Sequence, residues 1–181
     1  LAQGDTALAW DLVRAWFPAG PETTLEEARF ASLVVALQVQ RLAAALALDA
    51  GDLPSARAWL LANDRWLATS GLVTEWAEGQ LGWAAYRRAS SDLAAARVHA
   101  ERALAHVTEP RQPLVLLAAH RTLGEIHTAS GRPTEARFNL DAALALAEAC
   151  AAPYERALTL LAFAELHVAE CQHDAATAAL A

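Results

Sequence analysis

The chain has neither methionine nor lysine among its 181 residues, and it has two cysteines, Cys150 and Cys171. Because no methionine is present to serve as the initiator, we expect the chain to be a segment of a longer protein. Two cysteines in a chain of this length do not form the dense framework of a small disulfide-stapled domain. A reducing, cytoplasmic compartment is therefore the simpler expectation.

Long apolar runs and an excess of positive charge are absent as well. No stretch of about 18 uncharged apolar residues offers a membrane span. Fourteen arginines against 21 acidic residues give a net charge of −7 and an isoelectric point near 5.3. A module that contacts DNA normally carries a basic face that neutralises phosphates. We therefore expect no membrane and no direct nucleic-acid contact by this segment.

Motifs for catalysis and for cofactor binding are missing too. The sequence has no G-x-S-x-G, C-x-x-C, P-loop or dinucleotide fingerprint. The pairs His99/His106 and His120/His127 are each seven residues apart, so each pair could share one helix face, but a zinc site needs three or four converging ligands. We expect His120 and His127 to pack between helices, and we expect no catalytic residue, metal or cofactor.

The chain does contain a repeat. An alanine recurs at a step of forty residues, and five residues before each alanine stands a turn residue. The alanines are Ala56, Ala96, Ala136 and Ala176, and the turn residues are Gly51, Ser91, Gly131 and Cys171. A fixed period of this size is typical of stacked helical repeats. It places copies at 51–60, 91–100, 131–140 and 171–180, with 1–17 as the end of a preceding repeat, in one repeat domain over 1–181.

The same period holds before each turn, where apolar and small positions recur at helical spacing. These positions are Ala43, Trp83, Leu123 and Phe163; Ala44, Ala84, Gly124 and Ala164; and Leu46, Tyr86, Ile126 and Leu166. The pattern predicts helices over 5–17, 25–49 (with Thr24 as its N-cap), 53–69, 72–89, 92–108, 113–129, 133–150 and 153–170, and another from 173. Short connections make neighbouring helices antiparallel. The predicted fold is an all-α, right-handed superhelix of antiparallel helix pairs.

The third copy carries a family resemblance. Its residues His120, Leu123, Gly124 and His127, followed by Ala136, Leu140 and Ala143, have the spacing of a tetratricopeptide repeat. The period of forty, longer than the common 34 or so, resembles the superhelical repeat segment of the large LuxR-type, MalT-like bacterial transcription regulators. That resemblance implies an ATPase module before the repeats, a helix-turn-helix DNA-binding domain after them, and a role in sensing an effector or a partner.

In stacked helix pairs the first helix of each pair lines the concave surface. The polar residues that the repeat places there are Gln38, Arg41, Glu78, Arg88, Arg121, Glu125 and Glu165, and they are mixed with the apolar Leu48, Leu81, Leu158, Leu161 and Val168. Two interpretations remain open. The charges either form a solvated face with pairs along the helix, such as Arg121 with Glu125, or they line a groove for a protein, a peptide or a small effector.

Six tryptophans lie in the first half of the chain, at positions 10, 16, 59, 66, 76 and 83. They indicate packing between helices, with an aromatic-lined pocket as the alternative. The expected function is a non-enzymatic, effector-sensing interaction domain of a transcription regulator, and the alternative is a scaffold unrelated to transcription. Apolar faces around Leu8, Leu12 and Trp16 and at 173–181 also predict self-association or a frayed C-terminus.

Overall fold

The computed structural model describes residues 5–27, 32–107 and 112–180, with residue 73 and residues 172–180 described by their backbone alone. Within these ranges 84% of the residues are helical and no strand occurs, which confirms the all-α prediction. The α-helices are α1 (Thr6–Trp16), α2 (Leu33–Asp49), α3 (Leu53–Ser70), α4 (Trp76–Ala89), α5 (Leu93–His106), α6 (Pro113–Ala129), α7 (Pro133–Ala149) and α8 (Pro153–Leu180). Short 3₁₀ turns occupy Gly20–Glu22 and Val73–Glu75.

The helices pack in adjacent pairs: α2 with α3, α4 with α5, and α6 with α7. His120 on α6 contacts Asn139 on α7, and Gly124, four residues further along α6, lies beside Ala136, three residues earlier on α7. The two helices of the pair are therefore antiparallel. The first helices α2, α4, α6 and α8 also contact one another in succession, more extensively than the second helices do. The right-handed superhelical path stays a prediction.

The two helices of each pair are connected by the same kind of turn. The residues at the turn positions have left-handed backbone conformations, with φ of 73° at Gly51, 61° at Ser91 and 67° at Gly131. The residue after each of them donates its N–H to the carbonyl five residues back, at 2.8, 2.9 and 2.9 Å. This is the Schellman arrangement, which satisfies the last carbonyls of a helix. The forty-residue period of the sequence is thus a period of the backbone geometry.

The fourth predicted turn is wrong. Cys171 lies inside α8, which runs without a break from Pro153 to Leu180. A left-handed conformation costs a residue with a Cβ about 1 to 2 kcal/mol, a cost that glycine avoids at two of the other turns. Position 172 is glutamine, whereas Asp52 and Asp92 cap the following helix in the first two copies. The predicted close contact of Ala176 lies outside the described side chains.

The predicted start of α2 is also wrong. The helix begins at Leu33, and residues 25–27 form a separate turn, while residues 28–31 lie outside the described part of the chain. Thr24 and Glu27 make one of the two hydrogen bonds of a capping box, because Glu27 Oε2 accepts the N–H of Thr24 at 3.0 Å. The hydroxyl of Thr24 donates to the same oxygen at 3.0 Å. A capping signal therefore formed a local turn rather than the start of the long helix.

The other predicted helices fit closely. Those at 5–17, 53–69, 92–108, 113–129 and 133–150 begin and end within two residues of the observed ones. The helix predicted at 72–89 opens with the 3₁₀ turn Val73–Glu75 and becomes α-helical at Trp76. Local sequence signals thus place most helix ends correctly.

The recurring alanines are core residues, and Ala136 lies where the two helices of the third pair meet. Ala56, Ala96 and Ala136 are completely buried. On the opposite helix of the third pair, a Cβ added to Gly124 would stand 2.5 Å from the side chain of Leu140. Small residues are needed here because the two backbones approach closely.

Replacing Ala136 by leucine should overpack this contact and lower the free energy of unfolding by about 1 to 3 kcal/mol. Chemical denaturation measures the change. Ala145→Leu is the matched control, since Ala145 is exposed on the same helix α7. Equal midpoints for the two variants would show that the alanine period does not mark the contact.

The connection between α7 and α8 makes a further Schellman turn with alanine in the strained position. Ala151 has a φ of 50°, and Ala152 donates to Ala147 at 2.9 Å. Ala151→Gly should stabilise the protein by about 1 kcal/mol, because glycine adopts this conformation without a steric cost. Ala145→Gly in the middle of α7 should destabilise it by a similar amount. A thermal melt of each variant checks the opposite signs, and a loss of stability in Ala151→Gly would refute the assignment of strain.

Candidate binding cleft between the first helices

Ion pairs connect the first helices of successive repeats. The first connects α2 with the start of α4, where the Nη2 atom of Arg41 lies 2.8 Å from Glu75 and also pairs with Glu78. The side chains of Arg41 and Glu75 are 12% and 13% exposed, so water screens this pair weakly. Two predicted site residues, Arg41 and Glu78, are therefore brought together, whereas Gln38 is exposed on the same helix.

Two further pairs continue the row. Arg88 on α4 pairs with Glu125 on α6, and Arg121 on α6 pairs with Glu155 at the start of α8. The expected pair within the helix, Arg121 with Glu125, is long at 3.8 Å. The charged side chains of the first helices thus form ion pairs mainly between repeats, and they pair only weakly within one helix.

Glu75 and Glu155 were missed by the sequence analysis. Both belong to the ion-pair row and lie near the starts of first helices, away from the positions that the repeat assigned to the concave surface. A signal for them does exist in the sequence: Arg41 precedes Glu75 by the same 34 residues by which Arg121 precedes Glu155. One period after Arg41 and Glu75, the equivalent positions are Leu81 and Val115. In that copy both members of the pair are therefore apolar.

A cleft of about 270 Å³ opens between α4, α6 and α8. It is lined by Arg88, Arg121, Thr122, Glu125, Leu158, Leu161, Ala162 and Glu165. Four of the seven polar residues expected at the concave surface, together with two of the apolar ones, therefore share one site. Arg41, Glu78 and Gln38 lie outside it, nearer the start of the row.

The cleft combines paired charges with an apolar surface. Arg121 is largely buried, with 15% of its side chain exposed, whereas the side chain of Arg88 is 43% exposed. Leu161 is exposed by 59% and Leu158 is half-buried. Glu165 has no ion-pair partner among the described residues. The lining therefore offers an accessible guanidinium, an unpaired carboxylate and an apolar side chain next to one another.

A larger cavity of about 550 Å³ lies between the turn from α6 to α7 and the later part of α8. Its lining includes Pro133, Leu166 and Glu170. Arg137 holds Glu170 with two contacts of 2.9 Å to its two carboxylate oxygens, and these contacts lower the pKa of Glu170. This carboxylate of the lining is therefore already paired.

His120 and His127 pack between helices as expected. In the second pair Gln80 contacts His99 at 2.8 Å, and one period later His120 contacts Asn139 at 3.1 Å. His127 is buried, and burial lowers its pKa below the usual histidine value. Among the described residues, no three His, Cys, Asp or Glu side chains converge as metal ligands would.

The tryptophans also serve packing. Trp59, Trp66 and Trp83 are buried, and the ring of Phe17 contacts Trp59 edge-on at 5.4 Å and Trp66 at 5.5 Å. The indole N–H of Trp83 donates to Asp64 at 2.9 Å, and burial raises the pKa of this carboxyl group. Trp10, Trp16 and Trp76 are partly buried against the same core. The packing interpretation therefore holds for the tryptophans.

Comparisons with protein-family models, with curated proteins and with solved structures found no match. The resemblance to the transcription regulators therefore stays a prediction from the repeat residues. Among the described helices, none combines the length and the apolar character needed to cross a membrane.

The pair of Arg121 with Glu155 should contribute to the stacking of α6 on α8. A double-mutant cycle with Arg121→Ala and Glu155→Ala should give a coupling energy of about 1 kcal/mol, because the side chains are 15% and 28% exposed. The control pair is Arg14 with Asp11 on α1, whose side chains are 67% and 68% exposed, and its coupling should be below about 0.5 kcal/mol. Equal couplings in the two cycles would show that the row adds nothing to stacking.

Proposed function

We propose that this chain is a non-enzymatic helical-repeat domain whose cleft between α4, α6 and α8 binds an extended segment of a protein partner. The observation that carries the proposal is the convergence of Arg88, Arg121, Glu125 and Glu165 around Leu158 and Leu161 at the row of first helices. The charged groups largely satisfy one another, which suits recognition of a ligand by exchange of ion pairs better than catalysis.

The chemistry of the lining defines the ligand. Arg88 is the more accessible arginine, and its planar guanidinium can bind a carboxylate of the ligand with two hydrogen bonds. Glu165 can receive a cation. Leu161 lines the same cleft and provides an apolar contact. A peptide with an acidic, an apolar and a basic side chain in succession therefore matches the cleft, whereas a polyanion would meet Glu125 and Glu165.

The proposed setting is the effector-sensing segment of a cytoplasmic bacterial transcription regulator. Its support is the forty-residue period together with the third copy, which resemble the repeat segment of LuxR-type, MalT-like regulators. In such a protein, DNA binding would come from another domain, as the net charge of −7 favours. Binding of a partner or an effector to the repeats would then bias the assembly of the regulator.

Fluorescence anisotropy with labelled peptides of equal length tests the binding role. We expect a peptide with glutamate, leucine and arginine in succession to bind more tightly than an all-acidic or an all-basic peptide. Arg88→Gln should weaken its binding about tenfold, which corresponds to about 1.4 kcal/mol. A neutral replacement is a more specific test of binding than charge reversal at Arg88 and Arg121. Reversed charges would repel Glu125 and Glu155 and would disturb the packing of the helices as well.

Arg97→Gln is the matched control. Arg97 forms an exposed ion pair with Glu101 on the second helix α5, away from the cleft. Its replacement should leave peptide binding unchanged. Equal binding of all three peptides, or equal losses in the Arg88 and Arg97 variants, would contradict a recognition site in this cleft.

A further inference from the structure

Four charged side chains form one continuous series of contacts across α4, α6 and α8. Arg88 on α4 pairs with Glu125 on α6, and Arg121 on α6 pairs with Glu155 on α8. The two pairs are joined within α6, because Glu125 Oε2 contacts Arg88 and Glu125 Oε1 lies 3.8 Å from Nε of Arg121. Glu125 therefore lies between two arginines, and Arg121 lies between two glutamates.

The two middle members of the series, Glu125 and Arg121, are the least exposed of the four. Their side chains are 20% and 15% exposed, so water screens the contacts between them only in part. The two arginines stand at different oxygens of one carboxylate. A movement of Glu125 toward Arg121 therefore weakens its contact with Arg88.

One end of the series lies outside the cleft. The cleft is lined by the other three members, whereas Glu155 lies near the start of α8, where it pairs with Arg121. At the opposite end, Arg88 is the arginine that the carboxylate of the proposed peptide would contact. Any effect of Glu155 on Arg88 must therefore pass through the two middle residues.

The junction between α2 and α4 is built differently. There Arg41 pairs with two carboxylates, Glu75 and Glu78, and in the described part of the chain no second arginine contacts either of them. Among the described first helices, Glu125 is thus the one carboxylate that two arginines share. Only a shared carboxylate can pass from one arginine to the other.

We propose that Glu155 sets the affinity of the cleft for a carboxylate of the ligand, although it does not line the cleft. This inference rests on the peptide binding proposed above. Because Glu155 holds Arg121, Glu125 stays with Arg88 and competes with the ligand for its guanidinium. When Arg121 is released, it attracts Glu125 instead. Arg88 then becomes available to the ligand.

Binding of the ligand acts in the reverse direction as well, because the two effects are thermodynamically linked. A ligand that binds more tightly when the pair of Arg121 with Glu155 is absent must weaken that pair when it binds. This pair connects α6 with α8. Occupation of the cleft therefore loosens the stacking of α8 on α6. Glu155 is a positioning residue through which recognition of a peptide changes the contact between two repeats.

Fluorescence anisotropy tests the inference with the labelled peptide that carries glutamate, leucine and arginine in succession. The Glu155→Gln chain should bind this peptide about threefold more tightly than the unmodified chain, because the released Arg121 draws Glu125 away from Arg88. Replacing a residue that only supports the fold would weaken binding, so the sign of the change separates the two roles. Circular dichroism establishes that every variant is folded.

Glu148→Gln is the matched control. Glu148 lies 3.8 Å from Arg156 near the start of α8 and is outside the series, so its replacement removes the same charge without releasing Arg121. This variant should bind the peptide like the unmodified chain. A second peptide with glutamine in place of glutamate should bind the Glu155→Gln chain and the unmodified chain equally, because it has no carboxylate for Arg88.

The Glu125→Gln chain identifies the route of the effect. Once the shared carboxylate is gone, adding Glu155→Gln should leave peptide binding unchanged. The inference is overturned, while the binding role of the cleft stands, if the Glu155→Gln chain binds no more tightly than the Glu148→Gln chain. A gain that persists with the glutamine peptide or in the Glu125→Gln chain would overturn it too. If the unmodified chain binds no peptide, the proposed function itself fails, and this inference fails with it.

Discussion

The close approach of the two helices in each pair is the constraint on which the rest of the structure depends. At the third pair, Gly124 and Ala136 leave no room for a larger side chain, and Leu140 fills the remaining space. The second helices of all three pairs carry a completely buried alanine at this position of the repeat, which is Ala56, Ala96 or Ala136. The first helices contact one another in succession, and ion pairs connect them.

Those ion pairs explain why the concave residues are both structural and available for recognition. Arg41 and Arg121 are nearly buried and hold successive first helices together. Arg88 is more exposed. It lines the cleft together with Leu161 and Glu165, which form none of the ion pairs between the described first helices. The same row therefore changes along the chain from a stacking contact between α2 and α4 to an open cleft between α4, α6 and α8. A ligand that exchanges partners with Arg88 would act on the stacking of α4 against α6.

The sequence by itself determined the helical class, the forty-residue period and most helix ends, because these depend on interactions within a few residues. Glycine in the left-handed position of a turn and aspartate at an N-cap act over three to five residues, and both can be read directly at Gly51 and Asp52. Where such signals were weak or misleading, as at Cys171 and Thr24, the predicted helix ends were wrong. Only the tertiary structure decided which carboxylate each arginine meets. Arg88 shares the cleft with Glu125 on α6 and with Glu165 on α8, and it pairs with Glu125. It also decided that Arg41 lies apart from the cleft, because this depends on distances between segments that the chain alone does not fix.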